Sequence, residues 1–114
     1  MNTIDSYQFG EIVINGKKYS SDVLIFPDRV INNWWRKTGH ELCLEDITEV
    51  LKEKLDVLVV GTGASGLMKV LPEVEEIARA QGIKLMVETT DKACDTYNQL
   101  GHSQRPVAAL HITC

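Results

Sequence analysis

The residues Asp56-Val57-Leu58-Val59-Val60 form an unbroken, β-branched apolar run that stops at Gly61. A strand with water on one side alternates apolar and polar residues; a continuous run suits a strand covered on both faces, as in a parallel sheet. Ile83 to Val87 reads as another buried strand and Val107 to Ile112 as the last one. Between these runs the spacing is helical. Leu44, Ile47, Val50, Leu51 and Leu55 precede the first run, with Glu45 and Asp46 where they suit the positive end of a helix. Val74, Ile77 and Ala78 follow it, ending at Gly82. Thr90 is placed to cap a third helix that carries Ala93, Tyr97 and Leu100 on one face and ends at Gly101.

The amino-terminal part reads differently. Tyr7, Phe9, Ile12 and Ile14 are strand formers, and Asn15-Gly16 is a hairpin turn signal. Lys18-Tyr19 starts a return strand. Val23 to Phe26 is an apolar run halted by Pro27-Asp28, with Val30-Ile31 positioned to pair beyond it. Residues 32–43 read as irregular, with Gly39 as a breaker. Strands followed by α-β-α-β-α-β predict one α/β domain over 1–114. It has three layers: a mixed sheet with helices packed on it, plus an antiparallel strand group.

A net charge of −4, with no block of like charge, gives no basic surface for nucleic acid. No stretch reaches the ~18 apolar residues of a membrane span. The opening Met1-Asn2-Thr3-Ile4-Asp5 carries no export or transit pattern, so a cytoplasmic setting with Cys43, Cys94 and Cys114 reduced is expected. His40-x-x-Cys43 and His111-x-x-Cys114 each resemble half a zinc site, but each supplies two ligands, and no metal is expected.

Gly61-Thr62-Gly63-Ala64-Ser65-Gly66 matches the dinucleotide fingerprint by letter, with Glu88 placed to reach a ribose. That fingerprint needs its helix to begin inside the motif, so that free N–H groups meet the pyrophosphate. Pro72 lies six positions after Gly66. Inside a helix it would cost ~3 kcal/mol, whereas at a first helical position it is welcome. The second helix is therefore expected to start at Pro72, and no dinucleotide cofactor is expected. Ser65 fails as a nucleophile elbow because position 67 is Leu rather than Gly.

Two functional readings remain. In the first, the chain is a non-catalytic module that binds a protein partner, or itself, through Trp34, Trp35 and Arg36, residue types frequent in binding hot spots. Adjacent residues on extended chain face opposite ways, so one tryptophan should enter the core. In the second, Gly61, Thr62, Gly63, Thr89, Thr90 and Cys94 line a pocket for a small anion at the carboxyl ends of two parallel strands. Arg105 would then swing in as counter-charge. Cys94 near a helix start could be an activated thiol, although a buried inert cysteine is the commoner case.

Several phrases in order resemble a family of small domains of unknown function. They are Phe9-Gly10, Asp22, Trp35-Arg36 with Gly39-His40, Gly61-Thr62-Gly63, Thr90-x-x-Ala93-x-x-x-Tyr97-Asn98, Arg105 and His111-Ile112-Thr113-Cys114. The family's branches include a mitochondrial NADH dehydrogenase assembly factor and an adipogenesis-associated cytoplasmic protein; the Trp-Arg-x-Thr-Gly phrase and the ending are most similar to the latter. The resemblance implies a mixed sheet packed with helices and no established enzyme activity. In the assembly-factor branch it implies protein binding.

Overall fold

A computed structural model describes residues 2–100 and 102–114, without the side chain of His102. The expected end of the third helix at Gly101 lies outside the described residues. The elements are β1 (Ile4–Gln8), β2 (Glu11–Ile14), β3 (Lys17–Tyr19), β4 (Val23–Ile25), β5 (Val30–Ile31) and β6 (Glu41–Leu42). A 3-10 turn (Leu44–Ile47) runs into α1 (Thr48–Leu51). Then come β7 (Val57–Thr62), β8 (Lys69–Val70), α2 (Pro72–Ala80), β9 (Lys84–Glu88), α3 (Thr90–Gln99) and β10 (Pro106–His111).

The central sheet has the order β5-β4-β10-β7-β9. β10, β7 and β9 run parallel, and β4 joins β10 antiparallel. β7 and β10 are buried at every position, which is why their sequences do not alternate. Their side chains still alternate in direction. Leu58, Val60, Val107 and Ala109 face a core shared with Trp34, Val50, Val74 and Ala78. Val57, Val59, Ala108 and Leu110 face a second core shared with Ala93, Tyr97, Ile12 and Ile14. The layers are therefore α1 and α2, then the sheet, then α3 with the three-stranded group β1-β2-β3. The mixed α/β, three-layer architecture expected from the sequence is the one observed.

Pro72 is the first residue of α2, as expected, with Glu73 and Glu75 in the first turn. Three local readings are corrected. β9 is an outer strand with Lys84 and Val87 exposed, not a strand buried on both faces. Phe9 is not in a strand: β1 ends at Gln8 and β2 starts at Glu11, so Phe9-Gly10 is the turn between them. The irregular segment 32–43 also contains β6, which pairs with β8.

The strand group is fastened to α3 and β10 by side chains. The Asn98 amide accepts from Ile4 N (3.0 Å) and donates to Ile4 O (2.8 Å), as a neighbouring strand would. Tyr7 Oη donates to Ile112 O (3.0 Å). Tyr97 is fully buried among apolar neighbours, and its hydroxyl has no partner among the described residues. Burial pushes its pKa up to about 12. An unpaired buried hydroxyl costs about 1–3 kcal/mol. Tyr97→Phe keeps the ring and removes that penalty, so denaturant unfolding should show it about 1 kcal/mol more stable than wild type. A loss of similar size would show that the hydroxyl is paired.

Candidate functional site

The three parallel strands end side by side at Glu88, Thr62 and His111, in the order β9, β7, β10. The glycine motif leaves the middle strand, and its two neighbours close over it. Gly63 N donates to Thr90 Oγ1 (2.8 Å), and that hydroxyl donates to His111 O (2.6 Å), so one threonine joins the ends of β7 and β10 to the start of α3. Thr90 N donates back to Gly63 O (3.2 Å), Ala64 N to Thr113 O (2.7 Å), Gly66 N to Gly63 O (3.2 Å) and Leu67 N to Cys114 O (3.2 Å). The glycines serve this packing. A Cβ on Gly61 would lie 2.8 Å from Leu110 Cδ2 and 2.9 Å from Thr90 Oγ1. One on Gly63, whose φ is +105°, would lie 2.5 Å from the backbone of Cys114.

The seven residues expected around an anion are thus only partly brought together. Gly61, Thr62, Gly63, Thr89 and Thr90 do meet at one sheet edge. Their polar groups, however, are engaged within the chain. Thr62 Oγ1 donates to Glu88 O (3.1 Å) and Thr89 Oγ1 to the Asp91 carboxylate (2.7 Å). Thr90 is the first residue of α3, with Thr89 before it; its hydroxyl serves Gly63 and His111 and does not cap the helix. The helix start meets the chain's own negative group. Asp91 is held below the usual carboxylate range by the Thr89 hydroxyl and then by the Lys92 N–H. Cys94 is buried, and that burial, with Asp95 and Asp91 nearby, pushes its thiol up to about 12, where no nucleophilic thiolate forms at neutral pH. Arg105 precedes β10 and forks onto Asp56, which precedes β7, at 2.7 and 3.1 Å. It therefore sits at the amino edge of the sheet, a strand's length from the glycine loop, and the expectation that it swings into that pocket is corrected.

Trp34, Trp35 and Arg36 part company. Trp34 enters the core, and its Nε1 donates to Asp46 O (2.8 Å). Trp35 is 76% exposed. The Arg36 side chain, only 6% exposed, turns inward to a cluster the sequence reading did not assemble. Its Nη1 donates to Asp22 Oδ2 (2.9 Å) and its Nη2 to Gly39 O (2.9 Å). His111 Nδ1 lies 2.9 Å from the same carboxylate oxygen, and Ile112 N donates to the other one (2.8 Å). The same Nδ1 also lies 3.0 Å from Arg36 Nη2, so this ring nitrogen sits between a carboxylate that only accepts and a guanidinium that only donates. The His111 Nε2 is 3.4 Å from Thr113 Oγ1. Burial alone would raise the Asp22 pKa, but the His111 and Ile112 hydrogen bonds and the charges of His111 and Arg36 outweigh it and hold it low.

The half-motifs of histidine and cysteine recombine. Cys43 Sγ turns to Asp46 (3.3 Å), whereas Cys114 Sγ lies 4.0 Å from His40 Nε2, and the His40 and His111 rings meet edge-on at 6.4 Å. Among the described residues no group of three such side chains is placed to hold a metal. A signal for the Asp22 cluster was present: Asp22 and His111 abut or end apolar runs, and a titratable group at such a place needs a partner. The partner, Arg36, comes from a segment with no periodicity.

The apolar surface follows the same edge. Phe9 is 62% exposed and Leu67 50%. Phe9 precedes Gly10, whose N–H donates to Ile112 O (2.8 Å); Leu67 bonds Cys114; Trp35 precedes Arg36, which contacts His111. Among the described residues, three of the four large exposed apolar side chains thus belong to residues that bond to 111–114 or adjoin one that does; the fourth, Val87, lies on β9.

Two outcomes test this description. Gly63→Ala should cost at least ~3 kcal/mol in unfolding free energy, since both its φ and its contacts exclude a side chain; a loss under ~1 kcal/mol would show an open loop. Asp22→Asn should cost about 3 kcal/mol by leaving Arg36 buried without its carboxylate. Because the folded pKa of Asp22 is lowered, its contribution is complete above the ordinary value of about 4 and fades as pH falls through the lowered value. The wild-type thermal midpoint should therefore drop below about pH 4, with a shallower drop in Asp22→Asn; parallel profiles would contradict the assignment.

The comparisons with known proteins agree with this architecture. The human NADH dehydrogenase (ubiquinone) 1 alpha subcomplex assembly factor 3 is 30% identical over 112 residues, covering 96% of this chain and 59% of that protein. The chain thus spans about 59% of the length of that relative. A 13 kDa major membrane protein of Francisella tularensis is 25% identical, with 93% of this chain and 86% of that protein covered. No helix among the described residues is long and apolar enough to cross a membrane. The crystal structure of a conserved hypothetical protein from Pyrococcus horikoshii superposes with a TM-score of 0.87 at 30% identity, over 98% of this chain and 99% of that one. An outer membrane protein from Bartonella henselae shares the fold, with a TM-score of 0.81 at 24% identity over 97% of this chain and 94% of that one. Residues 4–112 match the family described as protein of unknown function (DUF498/DUF598), and the chain belongs to it.

Proposed function

We propose that this protein is a non-catalytic binding module that assists the assembly of other proteins, docking a partner on the face where Phe9, Trp35 and Leu67 surround residues 111–114. The exposure of Trp35 carries the reading. The side chains of its neighbours Trp34 and Arg36 turn inward and are hydrogen-bonded, so the backbone beneath it is fixed from both sides. A large aromatic ring on rigid backbone loses little entropy on binding and is the commonest kind of hot spot. Kinship with an assembly factor that matches most of this chain supports the same class of role. Three free thiols fit a reducing compartment such as the cytoplasm. A small anion at the glycine loop is the less favoured reading, because the N–H groups of Gly63, Ala64 and Gly66 already donate within the chain.

The test is site-specific photo-crosslinking in cells. A photoreactive residue at position 35 should trap one defined protein, identified by mass spectrometry, and one at exposed Lys54 should not. Trp35→Ala should leave unfolding free energy within about 0.5 kcal/mol of wild type yet abolish co-purification of the trapped protein. Identical adducts from both positions, or none from position 35, would refute the docking face.

A further inference from the structure

β9 is an outer strand of the five-stranded sheet, and its free side is long. The opposite edge, β5, is only Val30–Ile31, whereas β9 offers Lys84–Glu88 with Val87 half exposed. The direction of its backbone groups follows from the ladder. Lys84 N donates to Asp56 O (2.8 Å) at the start of β7, so Lys84 turns its N–H and C=O toward β7. By the two-residue period Met86 and Glu88 do the same, and the Thr62 hydroxyl bond to Glu88 O agrees. Leu85 and Val87 therefore turn their N–H and C=O groups away from the sheet, where no strand pairs with them among the described residues. Such an edge is a template for another strand.

The sequence of the edge says which strand. Lys84-Leu85-Met86-Val87-Glu88 is positive at one end, negative at the other and apolar between. Turned end for end, it complements itself. With a two-fold axis through Met86, Leu85 faces Val87 of a second copy and Val87 faces its Leu85. These are the outward-facing residues, which in an antiparallel ladder exchange both N–H···O bonds. The same register sets Lys84 against Glu88 of the second copy, and the reverse, in the wider-spaced pairs where side chains come closest. A slip of one residue breaks the hydrogen-bond phase. A slip of two keeps that phase but separates both ion pairs. Beside the edge, α2 and β9 form an open groove of about 350 Å³ lined by Glu75, Ala78, Arg79, Ile83, Leu85 and Val87. The axis brings the two grooves together on one face of the joined sheet.

We infer that β9 pairs antiparallel with β9 of a second copy about a two-fold axis at Met86, joining two five-stranded sheets into one. The inference uses residues 84–88 and stands apart from the docking face at Phe9, Trp35 and Leu67.

The test is sedimentation equilibrium together with amide hydrogen exchange. A pairing of this size belongs to the weak class, so concentrations up to about 500 µM are needed. Wild type should approach twice the chain mass, and the Leu85 and Val87 amides should exchange more slowly as concentration rises. Lys84→Glu sets like charges opposite each other and should weaken dimerisation about tenfold or more. Glu88 also accepts a bond from Thr96 (2.6 Å), so Glu88→Lys alone mixes two effects. The double swap of Lys84→Glu with Glu88→Lys should recover affinity to within about threefold of wild type. Val87→Pro removes an outward N–H without touching the β7 ladder and should abolish the dimer. A monomer at all concentrations would overturn the inference. So would a dimer indifferent to Lys84→Glu and Val87→Pro, or one whose Leu85 and Val87 amides exchange alike at all concentrations.

Discussion

The carboxylate of Asp22 ties together three parts of the chain that the sheet alone leaves separate. One oxygen accepts from Arg36 and lies 2.9 Å from His111 Nδ1, and the other accepts from Ile112 N. Asp22 leads into β4, His111 ends β10, and Arg36 belongs to the irregular segment that crosses over them. A carboxylate so placed costs desolvation, and only charge-assisted hydrogen bonds offset it. The path of residues 32–39 depends on that exchange. With Arg36 drawn inward and Trp34 anchored to Asp46 O, Trp35 has nowhere to go but solvent. The exposed ring follows from the buried charges on one side and the buried ring on the other.

The same edge explains why a glycine motif occurs without a dinucleotide geometry. Gly61 and Gly63 stand where β7 is squeezed between the start of α3 and the chain leaving β10. Thr90 is the pivot, accepting from Gly63 and donating to His111 O. In a dinucleotide site the corresponding N–H groups point at phosphate. Here they point at threonine and at carbonyls of residues 63 and 113. Asp91 further places a negative charge at the helix end that would otherwise attract an anion.

Much of the fold was legible in the sequence because periodicity and proline chemistry are local. The unbroken runs at 57–60 and 107–112 announced strands covered on both faces, and Pro72 fixed the start of α2. The site was less legible because its determinants are long-range. Asp22 and His111 are 89 residues apart in sequence, and Arg36 reaches both from a segment without a pattern. Arg105 was misplaced for a related reason. Its position beside Asp56 follows from the direction of β10, which is parallel to β7, so the residue before β10 and the residue after β7 lie at opposite edges. Phe9, a strand former by composition, became a turn residue because Gly10 after it hydrogen-bonds to Ile112 across the sheet edge.

The carboxyl edge of the sheet is closed by its own chain. Native-state amide hydrogen exchange measures this directly, because each N–H involved has a named acceptor. The amides of Gly63, Ala64 and Ile112, bonded to Thr90 Oγ1, Thr113 O and Asp22 Oδ1, should exchange as slowly as those in the middle of β7. Exchange at Gly63 and Ala64 as fast as at exposed Lys54 would show open amides there and reopen the loop as a ligand site.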